Sequence, residues 1–163
     1  MSDCNACQTP ASTTNLGLDA DGKPYHEDWD YASVVGMLMY LANNSRPDIA
    51  FAVHQCARFT HSPKESHASA VKKILRYLKG TATQGMTISP SSPFQIDCYV
   101  DADFAGLFGI ESDQDPICVK SRTGYLIMFM NCPLVWKSSL QTQIALSTME
   151  AEYIALSLTQ CVN

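Results

Sequence analysis

The sequence predicts an α+β protein: a small three-helix lobe followed by an incomplete mixed sheet of antiparallel strands and a closing helix. Two observations predict it. Up to about residue 80, apolar residues recur three and four apart, the period of a helix with one buried face. From residue 94 the period drops to two, the period of a strand, and returns to helical spacing only after Ser147.

Residues 1–27 are rich in Ser, Thr, Asn, Asp, Gly and Pro without a period, and read as an extended or disordered lead. The lobe spans residues 28–83. Val34, Val35, Leu38, Met39, Leu41 and Ala42 give a first helix over Tyr31 to Asn43. Pro47 and Asp48 open a second, Pro at its first turn and Asp at the positive end of its dipole, with Ile49, Phe51, Ala52, Val53, Cys56 and Phe59 apolar. Pro63 opens a third over Lys64 to Lys79, with Gly80 placed to cap it and Ala68, Val71, Ile74, Leu75 and Leu78 as its buried stripe.

On another side of this third helix stand Lys72, Lys73, Arg76 and Lys79; with Lys64, five of the eleven basic residues fall in sixteen positions. Such a row either lies along a phosphate backbone or is a solvated face with cations favoured near a helix C-terminus.

Residues 84–163 carry the strands. Met86 to Ser89 is a short first one, and Phe94 to Phe104 is the strand around which the region is organised. There Ile96, Cys98, Val100, Ala102 and Phe104 alternate with Asp97, Tyr99, Asp101 and Asp103, leaving an apolar face and a face of three carboxylates. Like charges about 7 Å apart repel unless solvent, a cation or a basic partner relieves them. The plain alternative is a strand end running into a polar turn at Gly106. Leu107 to Ser121 is an acidic, irregular connection. Gly124 to Met130, apolar on both parities, and Leu134 to Ser139 form a hairpin turned at Asn131-Cys132-Pro133.

The last helix begins near Ser147. Ala151, Ile154, Ala155, Leu158 and Cys161 share one side, with Glu150 at its edge and Glu152 in the polar half. Glu150 is thereby aimed at whatever the helix packs on, but Ser147 and Glu150 also form the S-x-x-E of a capping box, and the two roles compete for one carboxylate.

Composition narrows the classes. A 163-residue chain with 46% hydrophobic and 17% charged residues supports one core or two small lobes. Its net charge of -5 confines nucleic-acid contact to a local basic patch. No apolar run reaches the roughly 20 residues of a membrane span, so no membrane partner and an intracellular location are expected. Seven widely spread cysteines argue against a disulfide framework, and Cys4-x-x-Cys7 lacks a second ligand pair for zinc.

Five ordered blocks then carry a resemblance. Y-A-S-V-V-G-M-L-M-Y-L-A-N-N-S-R-P-D-I-A-F-A-V, K-K-I-L-R-Y-L-K-G-T, Y-V-D-A-D-F-A-G, S-R-T-G-Y-L and S-T-M-E-A-E-Y-I-A-L-S resemble the Pol polyprotein of copia-type LTR retrotransposons, over about residues 30 to 158. The resemblance implies that the helical lobe is the C-terminal end of a reverse transcriptase and the rest the N-terminal part of a ribonuclease H (RNase H) domain with an RNase H-like sheet. It implies an enzyme that hydrolyses the RNA strand of an RNA/DNA hybrid with two Mg²⁺ ions about 4 Å apart. Asp101 and Glu150 match the family's catalytic and metal-binding carboxylates, Asp103 is a further metal candidate, and Lys72, Lys73, Arg76 and Lys79 match a helix that follows the duplex.

Two further acidic residues of the family lie past Asn163. The chain by itself is therefore expected to be inactive, with weak or no Mg²⁺ binding and an exposed sheet edge open to self-association. Its partners would be an RNA/DNA hybrid or other nucleic acid and the remainder of a Pol polyprotein, in the cytoplasm or a virus-like particle. The alternative is a non-catalytic nucleic-acid-binding fragment acting through the basic helix, residues 64–79.

Overall fold

The computed structural model describes residues 4–26, 28–89, 94–110 and 115–160. The chain is α+β and divides into two compact units, Met1–Gly85 and Met86–Asn163.

The first unit holds the expected three helices: α1 (Tyr31–Asn44), a 3-10 turn (Pro47–Ile49) running into α2 (Ala50–Ala57), and α3 (Glu65–Gly80). Asp30 caps α1, its carboxylate accepting from Ala32 N–H at 3.2 Å. Val35, Leu38, Ile49, Val53, Cys56, Val71 and Ile74 fill the core, each at most 2% exposed. Gly80 is the last helical residue of α3, and the cap is Thr81, whose N–H reaches the Tyr77 and Leu78 carbonyls. Glycine is required at 80 for a different reason: a Cβ there would lie 2.9 Å from that of Ala6.

The lead is extended and held. Residues 4–26 contain only an isolated bridge between Pro24 and Lys64, yet they run along the helices through hydrogen bonds described below.

The second unit is a three-stranded antiparallel meander in the order β1 (Ile96–Asp103), β2 (Arg122–Phe129), β3 (Cys132–Leu140), followed by α4 (Thr148–Gln160). Met86 to Ser89 is not a strand. It has no ladder partner, and Ile88 is exposed, so nothing compensates the ordering of those residues. The hairpin turns at Met130 and Asn131, both at positive φ (50° and 63°), the two-residue geometry that follows the strand twist. Cys132 and Pro133 fall inside β3 instead. Proline is tolerated there because β3 is an edge strand, and the ladder shifts register beside it at Ile127/Met128. Central β2 is half-buried along most of its length.

α4 rests on the sheet through Ala151, Ala155 and Thr159, at i, i+4 and i+8. Two alanines let the backbone come close, and the Thr159 hydroxyl is satisfied by the Ala155 carbonyl at 2.7 Å. Leu158, expected in that stripe, is exposed, and Cys161 lies outside the described residues. No helix among the described residues is long and apolar enough to cross a membrane.

Candidate functional site

The register fixes where the strand carboxylates stand. Asp101 pairs with Gly124, Ala102 with Thr123 and Asp103 with Arg122; residues directly opposite share a face of the sheet. Gln141, 2% exposed, donates from Nε2 both to Thr123 Oγ1 (3.0 Å) and to the carbonyl of Ala151 in α4 (2.9 Å). The helix therefore covers the Ala102/Thr123 face, as the apolar parity of β1 requires. Asp97, Asp101 and Asp103 belong to the opposite face. Asp101 and Asp103 are exposed, and Asp97 is half-buried with Gln95 Nε2 donating to its Oδ1 at 2.6 Å. The Asp103 carboxylate lies over Gly106, where any side chain would collide with it.

Glu150 is occupied as a cap. Its N–H donates to Ser147 Oγ at 3.1 Å, and its Oε2 accepts from Leu146 N–H at 2.7 Å. The carboxylate stays exposed rather than turning under the helix. Glu152 is exposed, as expected of the polar half, and borders a hollow of about 320 Å³ with Val100, Met149, Tyr153 and Leu156. Among the described residues, no group of three or more His, Cys, Asp or Glu side chains could hold a metal ion. As placed, Asp101 and Glu150 stand on opposite sides of the α4–sheet contact, and the carboxylates present do not fit a pair of Mg²⁺ ions.

The cations of α3 are brought together, and with them comes the lead. Lys72, Lys73 and Arg76 are half-buried and Lys79 is exposed. Lys79 Nζ donates to the Cys4 carbonyl at 2.8 Å, Arg76 Nε to the Asn5 carbonyl at 2.8 Å, and Lys73 Nζ to Ser12 Oγ at 3.3 Å. Cys7 N–H donates in turn to the Arg76 carbonyl at 3.3 Å. Further along, Arg58 donates to the Leu16 carbonyl at 3.3 Å and sits over the Phe59 ring. Residues 10–16 also roof a cavity of about 50 Å³ over Phe51, Gln55, Cys56 and Ile74. Burial pushes the Cys56 thiol up to about 12, an inert core group; Tyr31 OH donates to its carbonyl at 2.9 Å.

Two features of this unit were not anticipated. His67 is fully buried and stacked on Phe59, ring centroids 3.9 Å apart. Its Nδ1 accepts from Lys64 N–H at 3.0 Å, capping α3, while Nε2–H donates to the Gly17 carbonyl at 2.9 Å. Burial holds its pKa below the ordinary value, with the Gly17 bond opposing. A histidine three residues into a helix carries no sequence signal that separates this role from a solvated one. The second is a knot at Arg46. Its guanidinium grips Asp48 (2.7 and 3.0 Å) and reaches Thr81 Oγ1 at 2.6 Å, and Tyr77 OH donates to Asp48 Oδ2 at 2.8 Å. The Arg46 hydrogen bonds hold the Asp48 carboxyl below the usual carboxylate range. The R-P-D spacing is the signal that could have found it.

No family model and no solved structure matches the chain. Curated sequences do. Over 129 residues, 79% of this chain, it is 46% identical to the retrovirus-related Pol polyprotein from transposon TNT 1-94 of Nicotiana tabacum, covering 9% of that protein. It is 38% identical over 130 residues to the corresponding polyprotein from transposon RE1 of Arabidopsis thaliana, covering 80% of this chain and 8% of that one. It is also 39% identical over 127 residues to secreted RxLR effector protein 161 of Plasmopara viticola, covering 78% of this chain and 84% of that protein. The chain spans about a tenth of the length of the transposon polyproteins it matches.

Proposed function

We propose that the chain, which is similar over about four fifths of its length to retrovirus-related Pol polyproteins from transposons, is a copia-type segment joining two enzymes. Residues 28–83 are the end of a reverse transcriptase and residues 84–163 the front part of an RNase H domain. The observation that carries this reading is the order of parts in the second unit. A D-A-D strand is followed by an antiparallel hairpin and then by a helix with Glu150 in its first turn, the order in which the family motifs run.

In the longer protein the chemistry would be Mg²⁺-assisted hydrolysis of the RNA strand of an RNA/DNA hybrid, for which the resemblance assigns Asp101 and Glu150, with Asp103 beside them, as the carboxylates that would hold the metal; as placed in this segment they do not form such a site. No step is assigned to this segment alone, because its carboxylates do not converge. What its own residues supply is the framework: Gln141 locks α4 to the sheet, and the Ser147–Glu150 cap fixes the start of the helix. The test is cleavage of a labelled hybrid with Mg²⁺ or Mn²⁺ by the chain, by Glu150→Gln, and by a version extended with a complete RNase H tail. Activity only in the extended version, lost in its Glu150→Gln form, supports the reading. Silence in both lengths overturns it.

A second reading is favoured by the cationic row on α3: a segment that binds a nucleic-acid backbone without cutting it. Its signature is duplex binding that weakens as salt rises, survives Asp101→Asn and is lost in Lys72→Glu with Arg76→Glu.

A further inference from the structure

Among the described residues, β1 is paired on one side only, with β2. Met130 N–H donates to the Gln95 carbonyl at 3.0 Å, one step beyond the Ile96–Phe129 pair, and this bond sets the alternation of the ladder. Asp97, Tyr99, Asp101 and Asp103 exchange hydrogen bonds with β2, so the main-chain groups of Ile96, Cys98, Val100 and Ala102 point away from it. Those groups have no partner among the described residues. Two features flank this edge. On the α4 side, the hollow of about 320 Å³ is lined by Val100 and by residues of α4, with none from β2 or β3, so it opens along the outer side of β1. Its α4 wall exposes three large apolar side chains, Met149, Tyr153 and Leu156. On the opposite face stand Asp97, Asp101 and Asp103 around the exposed Tyr99 ring. No ion pair with a described residue offsets these three carboxylates or that of Glu152.

We propose that the outer edge of β1 is a docking site for an extended segment of a partner protein in which apolar and cationic residues alternate, taken up as a fourth strand. The main chain of the segment bonds to the outward groups of Ile96, Cys98, Val100 and Ala102. Its side chains alternate between faces as those of β1 do. Those on the α4 side enter the hollow, which suits aliphatic residues. Those on the other side lie beside Asp97, Asp101 and Asp103, where Lys or Arg pairs with the carboxylates and lays its stem on Tyr99. The carboxylates alone would attract any cation; unpaired main chain next to an apolar hollow selects an extended chain. Charge also favours this occupant over a second copy of the protein, because an antiparallel β1–β1 pair would bring two rows of carboxylates side by side.

The probe is a short fluorescein-labelled peptide alternating Val and Lys, titrated with the full chain and read by fluorescence anisotropy. It is compared with a peptide of the same composition whose Val and Lys residues are grouped in two blocks, and with an alternating Val and Glu peptide. The alternating Val and Lys peptide is expected to bind roughly tenfold more tightly than either control. Asp101→Asn with Asp103→Asn should weaken it roughly three- to tenfold, the scale of two cross-strand charge pairs, and Leu156→Lys should weaken it by closing the hollow to an apolar residue. Amide hydrogen exchange on the wild-type chain supplies a signature independent of any variant's folding: the bound peptide should slow Ile96, Cys98, Val100 and Ala102 and leave Tyr99 and Asp101 as they were. Equal binding of the alternating and grouped peptides, no binding of either, or binding without that alternate protection would overturn the proposal. So would a dimer by sedimentation, without peptide, in which the same four amides are already protected, since the edge would then belong to a second copy.

Discussion

The Glu150 carboxylate accepts the backbone N–H of Leu146 at 2.7 Å. This bond, with the reciprocal one from Glu150 N–H to Ser147 Oγ, commits the side chain to the start of α4. Ser147→Ala should therefore destabilise the second unit by about 1 kcal/mol, the usual cost of losing an N-cap, and urea unfolding monitored by near-UV signals checks it. For the same reason, millimolar Mg²⁺ should raise the melting temperature of the isolated chain by no more than about 1 °C, since little binds the native state selectively.

His67 makes the first unit sensitive to mild acid. Its folded pKa lies below the unfolded 6.5, mainly through burial, so below that value the unfolded chain takes up the proton first. The sign follows: stability is fully present above pH 6.5 and is lost as pH falls through it. A proton on Nδ1 would also confront the Lys64 N–H that Nδ1 now accepts. Melting curves from pH 8 to pH 5 should show the fall, and in His67→Gln the part of it that belongs to this residue should vanish.

Gln141 joins strand and helix from a buried position, with Nε2 doubly used and Oε1 without a partner among the described residues. Gln141→Leu should cost about 1 to 3 kcal/mol, because the buried Ala151 carbonyl and Thr123 hydroxyl lose their donor. Comparing it with Gln141→Ala by denaturant titration separates the lost bonds from the lost volume.

At the Arg46 knot, Arg46→Lys should destabilise the first unit by about 1 kcal/mol. Lysine keeps the charge but cannot hold both Asp48 oxygens and Thr81 together. Tyr77→Phe removes one donor to Asp48 and should have the smaller effect, measured by the same thermal melts.

Periodicity was enough to locate all four helices and the strands around Asp101, Ile127 and Trp136, because each element buries one stripe. It failed at Met86 to Ser89, where β-propensity had no partner to pair with, and at Asn131-Cys132-Pro133, where the turn falls one residue earlier and proline is accommodated by an edge. The carboxylate face of β1 was legible from alternation. Which way Glu150 turns was not, since one S-x-x-E pattern serves both a cap and an inward ligand. The partners of Arg76 and Lys79 were hidden for a plainer reason: main-chain carbonyls of an aperiodic lead have no sequence signature.

The meander also dictates an order of assembly. β2 and β3 are joined by two residues, β1 and β2 by eighteen, and α4 reaches back to β1 across nearly the whole unit. Loop-closure entropy ranks these steps, so the hairpin should form first, on the scale of roughly microseconds, and docking of α4 should come last. A substitution under the helix, such as Ala155→Gly, should then leave the refolding rate nearly unchanged and accelerate unfolding, which places the kinetic persistence of the unit in the grip of its final helix.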